Sequence, residues 1–148
     1  MKYTCVLFFI ISSLFLSTNC LAQQFETNLE EATEAARAED KNVLLVFTGS
    51  DWCKPCILLK REVLGAPEFK EYAKENLVLV NLDFPFRKQN KLPKDIQAYN
   101  DEKAARYNPD GKFPRVLLLD PDAEVIKEFT YKPGTAPAAF VEKLQAAI

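Results

Sequence analysis

The chain has 148 residues, 48% of them hydrophobic, with a formal net charge of −2 and no histidine. That is enough chain and apolar mass for one domain with a single core, and nothing in it reads as disordered or repetitive. The balanced charge leaves no basic footprint for nucleic acid or an anionic membrane. The lack of histidine removes the Ser-His-Asp and Cys-His hydrolase arrangements.

Lys2 is followed by an apolar run from Cys5 to Leu16, broken only by Ser12 and Ser13, and then by a small, polar stretch ending at Ala22. This is the layout of a secretory signal peptide; the run is too short for the ~20 residues of a membrane-spanning helix. Cys20 and Ala22 fit the small-x-small cleavage pattern. Residues 1–22 are therefore expected to be removed, leaving a domain over 23–148 that is exported, either periplasmic or secreted. The alternative is a lipid anchor on Cys20. Only that anchor, or retention of the segment, would hold the domain at a membrane.

Thr27 and Glu30 have the spacing of a capping box before Leu29, Ala32, Thr33 and Ala36, one stripe of a helix. "NVLLVFT", Asn42–Thr48, is an apolar, β-branched run expected to form a strand buried on both faces. Gly49 and Ser50 turn the chain into "DWCKPC". A helix begins there, with Ile57, Arg61 and Leu64 at helical spacing. Gly65-Ala66-Pro67 interrupts it, and Phe69, Tyr72 and Ala73 restart a helical face. "LVLVNLD", Leu77–Asp83, reads as a second buried strand. A strand, a helix and a strand in sequence make a crossover, so the two strands should be parallel.

A polar loop spans Phe84–Pro93, where the Arg87-Lys88 pair reads as solvated charge. A helix is expected from about Lys94 to Tyr107, with Ile96, Tyr99 and Tyr107 on one side. "RVLLLD" and "EVIKEFTY" flank the turn Pro121-Asp122-Ala123 as an antiparallel hairpin. Ala136–Ile148 closes the chain as a helix, with Phe140, Leu144 and Ile148 spaced by four. The order is α/β with a mixed central sheet flanked by helices, plus an extra helix at the N-terminal end.

Chemistry concentrates at Cys53 and Cys56. Cys5 and Cys20 belong to the expected leader, so these two are the cysteines of the exported domain, in a disulfide-permissive compartment. Structural zinc needs four ligands and haem attachment needs a histidine after the second cysteine, where Ile57 stands. A structural disulfide across two residues would close too short a loop to stabilise much. Two thiolates suit Cu(I), but a single methionine and no histidine supply no second soft site. A redox-active dithiol is the favoured reading, with no metal or organic cofactor. At a helix start the first sulfur faces unpaired N–H groups, and Lys54 adds positive charge; both favour a thiolate. Pro55 is acceptable in a first turn, where its missing N–H has no helical partner.

With "DWCKPC" after a strand, the βαβ unit, and "FPRVLLLD" opening the hairpin, the chain resembles the thioredoxin superfamily from about Leu29 to Ile148. More narrowly, "VLLVFTGSDWCKPC" and "NLVLVNLDFP" resemble exported bacterial thioredoxin-like and disulfide-isomerase-like proteins. The resemblance implies roles. Cys53 would be the exposed nucleophile and Cys56 the buried resolving thiol. Trp52 would flank the site, and Pro114, after Phe113, would be the family's cis-proline beside the dithiol. The bland readings are that Trp52 packs in the core, that Pro114 opens an edge strand in trans, and that Lys54 is solvated charge. Arg115 stands where the family often has threonine.

One departure affects mechanism. The family places a buried acid on the central strand six residues before the first cysteine; here that residue is Phe47. Asp51 is the nearest acid in sequence and is expected to face solvent from the turn. Water or the departing substrate thiolate would then take the proton of Cys56. The implied function is an exported thiol-disulfide oxidoreductase, a reductase or isomerase of protein disulfides served by a separate redox partner. The alternative is a non-catalytic binding or chaperone-like module.

Overall fold

The computed structural model describes residues 24–148. The expected signal segment, its cleavage point and Cys20 lie outside those residues. Helix α1 runs over Leu29–Glu39, strand β1 over Asn42–Thr48 and helix α2 over Lys54–Leu59, continued by a π turn at Lys60–Leu64. Helix α3 follows at Pro67–Asn76, strand β2 at Leu77–Asp83 and helix α4 at Lys94–Tyr107. Strands β3 (Arg115–Leu119) and β4 (Val125–Phe129) precede helix α5 at Pro137–Gln145.

The four strands form one mixed sheet in the order β2-β1-β3-β4. β1 and β2 are parallel from Asn42↔Leu77 to Thr48↔Asp83, as the crossover requires. β3 is antiparallel to β1 and to β4. Side chains alternate across the sheet, so β1 feeds two cores. Leu44 and Val46 pack with Leu59, Val63, Phe69 and Phe140 beneath α2, the π turn, α3 and α5. Val43, Leu45 and Phe47 pack with Leu29, Ala32, Ala36 and Tyr107 beneath α1 and α4. Central β1 is thus covered on both faces, which explains its unbroken apolar run.

Several local expectations are corrected by packing. The cap of α1 is Asn28, whose Oδ1 accepts the Glu31 N–H at 3.0 Å. Glu30 instead accepts from the Tyr99 hydroxyl and Lys103 of α4, so the Thr27–Glu30 capping box does not form. On α2 and the π turn the buried stripe is Cys56, Leu59, Val63 and Leu64, while Ile57 and Arg61 are exposed. The sheet selects the face that carries Cys56. On α4 the inward positions are Asn100 and Tyr107, and Ile96 is exposed. Asn100 is drawn in because its side-chain amide donates to the Asp83 carbonyl at 2.9 Å. The last helix stops at Gln145, and Ile148 lies exposed beyond it.

Candidate active site at the start of helix α2

β1 delivers the chain to Gly49. The Gly49 carbonyl accepts the N–H of Trp52 at 3.3 Å and of Cys53 at 2.8 Å, turning the backbone into α2. Cys53 caps that helix, and its sulfur accepts the Cys56 N–H at 3.2 Å. Pro55 sits in the first turn, where no helical hydrogen bond is lost. Cys53 and Cys56 are joined as a disulfide, with Cα atoms 5.3 Å apart. Lys54 and Pro55, between them, are exposed.

The expected contrast in exposure between the sulfur-bearing residues is absent in this disulfide form: Cys53 is 3% exposed and Cys56 2%. Their surroundings distinguish them instead. Cys53 stands at the open end of the helix and receives an N–H. Cys56 is the third residue of the helix and lines a cavity together with residues of the π turn and of β2. A Cys53 thiolate would keep the hydrogen bond that its sulfur accepts here.

An aromatic rim borders the dithiol. Trp52 is half-exposed rather than core, and its indole N–H donates to the Phe84 carbonyl at 2.7 Å. Its ring meets Phe113 edge-on, with centroids 5.3 Å apart, and Phe113 meets Phe84 the same way at 5.5 Å. Phe84 rests in turn on Phe47. The Phe113–Pro114 peptide is cis. Arg115 is held by Asp110 and by Glu128 at 2.9 Å, so its charge is spent on neighbouring carboxylates.

Asp51 does not simply face solvent. Its carboxylate accepts the Phe86 N–H at 2.8 Å, the Arg87 N–H at 2.9 Å and the Asn90 side-chain amide at 2.9 Å. The Phe86 N–H foremost, with Asn90 and Arg87 adding to it, holds this carboxyl below the usual carboxylate range. The loop that reads as solvated charge in sequence is therefore clasped two residues before Cys53. Phe86, at 80% exposed, stands out from it.

A polar set that the sequence reading did not single out lies on the other side of the dithiol. The Thr48 hydroxyl is 2.8 Å from Asn81 Oδ1 and 3.0 Å from Asp83 Oδ1. The Ser50 N–H and hydroxyl both donate to the Asp83 carboxylate, at 2.8 and 2.5 Å. Together with Cys56 and Lys60 these residues line a cavity of about 440 Å³. One signal was available: Asn81 and Asp83 alternate at the end of an otherwise apolar strand, which puts both on one face. What sequence could not supply is the register that sets Asp83 beside Thr48.

A family model described as "Thioredoxin-like" matches residues 24–121. "Disulfide bond reductase DsbH" of Chlamydia pneumoniae is 35% identical over 118 residues, which cover 80% of this chain and 69% of that protein. Among solved structures, one described as "DsbH Oxidoreductase" superposes with a TM-score of 0.75 at 34% identity, covering 84% of this chain and 83% of the other. A thioredoxin from Thermus thermophilus, at 20% identity, shares the fold with a TM-score of 0.62, covering 84% and 86%.

Proposed function

The chain belongs to the thioredoxin-like family and is a thiol-disulfide oxidoreductase, and from that premise we propose that it reduces disulfides in other exported proteins. The observation that carries this reading is the Cys53–Cys56 disulfide at the start of α2, with the Cys56 N–H on the Cys53 sulfur. In the reduced form, the Cys53 thiolate attacks a substrate disulfide. A Cys53–substrate disulfide forms and the first substrate sulfur leaves with its electron pair. The Cys56 thiolate then attacks the Cys53 sulfur, and the second substrate sulfur leaves. The protein ends in the disulfide form described above, two electrons poorer. A redox partner in the exported compartment returns them.

The half-exposed Trp52 and the exposed Phe86 offer apolar surface for residues that flank the substrate disulfide. Phe113 and Pro114 present the backbone along which an extended substrate segment lies. The similarity to a protein named a disulfide bond reductase supports reduction over oxidation.

Insulin reduction by dithiothreitol tests the reading. The wild type is expected to accelerate precipitation, Cys53→Ser to abolish the acceleration, and Cys56→Ser to accumulate mixed disulfides with insulin chains. No acceleration by the wild type would overturn the enzyme reading and leave a binding module. The potential of the Cys53–Cys56 couple then separates directions: a value near the roughly −270 mV of thioredoxin fits a reductase, and one near about −180 mV fits an isomerase.

A further inference from the structure

We infer that Asp83 accepts the proton of the Cys56 thiol, through water in the cavity beside it, when the mixed disulfide is resolved. The inference rests on the exchange chemistry proposed above. Once Cys53 is bonded to substrate, Cys56 is left as a thiol, and only its thiolate can attack. A sulfur in a residue that is 2% exposed needs a nearby acceptor, because a buried thiol gives up its proton reluctantly.

The cavity gathers what that transfer needs. Cys56 forms part of its wall. Asp83, at the end of β2, is the only carboxylate lining it among the described residues. The charged groups facing the space from the other elements are Lys60 and Arg61 of the π turn, both exposed, so the cavity opens to solvent past them. Arg61 pairs with Glu62 at 2.9 Å, and that glutamate is also held by the Tyr131 hydroxyl. Lys60 forms no ion pair among the described residues, and its ammonium favours a thiolate in the same space. Lys54 and Asp51 are not part of the cavity wall: Lys54 is exposed, and Asp51 is committed to the loop at Phe86, Arg87 and Asn90.

The acceptor is held in place. The Ser50 N–H and hydroxyl fix the Asp83 carboxylate, and the Thr48 hydroxyl stands within hydrogen-bond distance of both Asp83 Oδ1 and Asn81 Oδ1, with one proton to give to either. At about 440 Å³ the space admits several waters, each with a share of roughly 30 Å³, and Thr48, Asn81 and Asp83 supply the two to four polar partners a bridging water requires. The step balances without an outside reagent. The Cys56 S–H proton passes through water to the Asp83 carboxylate. The Cys56–Cys53 bond forms as the Cys53–substrate bond breaks. The substrate sulfur leaves as a thiolate and takes a proton back from Asp83 or from solvent.

The test is stopped-flow release of a fluorescent peptide from its mixed disulfide with Cys53 in the folded protein, from pH 5 to 9. Wild-type release is expected to be nearly flat between pH 6 and 8. In Asp83→Asn it should slow roughly 100-fold near neutral pH, the lower end of what a positioned acid or base contributes, and climb about tenfold per pH unit. Release should slow more than formation of the mixed disulfide. Added acetate, small enough to enter the open cavity, should restore part of the rate. A purely structural role for Asp83 would slow both steps without changing the shape of the profile, and that result would overturn the inference. If Asp83→Asn does not fold, the wild-type profile still decides: release that rises steadily through pH 6–8 means that solvent, not Asp83, takes the proton. A wild type that forms no mixed disulfide at all would overturn the exchange reading itself, a distinct outcome.

Discussion

Phe47 and Phe84 stack with ring centroids 6.3 Å apart and planes inclined by 29°. Phe47 is fully buried, and the aromatic contacts continue from Phe84 through Phe113 to Trp52 at the dithiol. The ring at the position of the family's acid therefore supports the rim of the site from below. It belongs to the core under α1 and α4, while Thr48, the next residue, lines the cavity with Cys56.

That placement makes Phe47→Asp a structural lesion rather than a repair. Truncating a buried Phe costs about 3–5 kcal/mol, and an unpaired buried carboxylate adds to that, out of a typical domain stability of about 5–15 kcal/mol. Phe47→Leu, which keeps apolar volume but loses the stack, should cost about 1–1.5 kcal/mol and retain exchange. Urea denaturation of both variants checks this. Phe47→Asp with unchanged stability and faster release of bound peptide would show that the acid can work from this position after all.

The Asp51 clasp carries a pH signature. Its folded pKa is lowered, chiefly by the Phe86 N–H. A lowered carboxylate pKa means that the clasp contributes fully above the unfolded value of about 4 and is lost as pH falls through the lower folded value. Amide shifts of Phe86 and Arg87 should therefore hold steady from neutral pH to about 4 and move together below it. Asp51→Ala should abolish that transition and raise hydrogen exchange at both amides already at neutral pH. A midpoint at or above the ordinary carboxylate range would contradict the assignment.

Gly49 is required by Trp52. A Cβ on Gly49 would fall inside contact distance of the indole ring. Gly49→Ala should displace the ring, break its hydrogen bond to the Phe84 carbonyl, and cost about 1–3 kcal/mol. The chain has one tryptophan, so emission reports this residue alone. A red-shifted spectrum and slower exchange are expected; an unchanged spectrum would mean that the backbone, not the ring, absorbs the clash.

Local pattern determined a large part of this protein. The bounds of β1 at Asn42–Thr48, of β2 at Leu77–Asp83 and of α4 at Lys94–Tyr107 follow from apolar runs and helical spacing, and the parallel pairing follows from the helical crossover. The Cys53–Cys56 pair at a helix start was legible because four residues and a preceding strand define it. Tertiary structure alone decided which faces turned inward, so Ile57, Ile96 and Ile148 lie exposed while Asn100 is buried. It also decided which polar groups meet. Asp51 reaches Phe86 across 35 residues, and Thr48 reaches Asp83 across the same interval. Periodicity reports contacts within one element, over a few residues. Contacts between elements depend on strand register and on the path of the intervening helices. The groups that surround the dithiol, unlike the dithiol itself, came from that longer range.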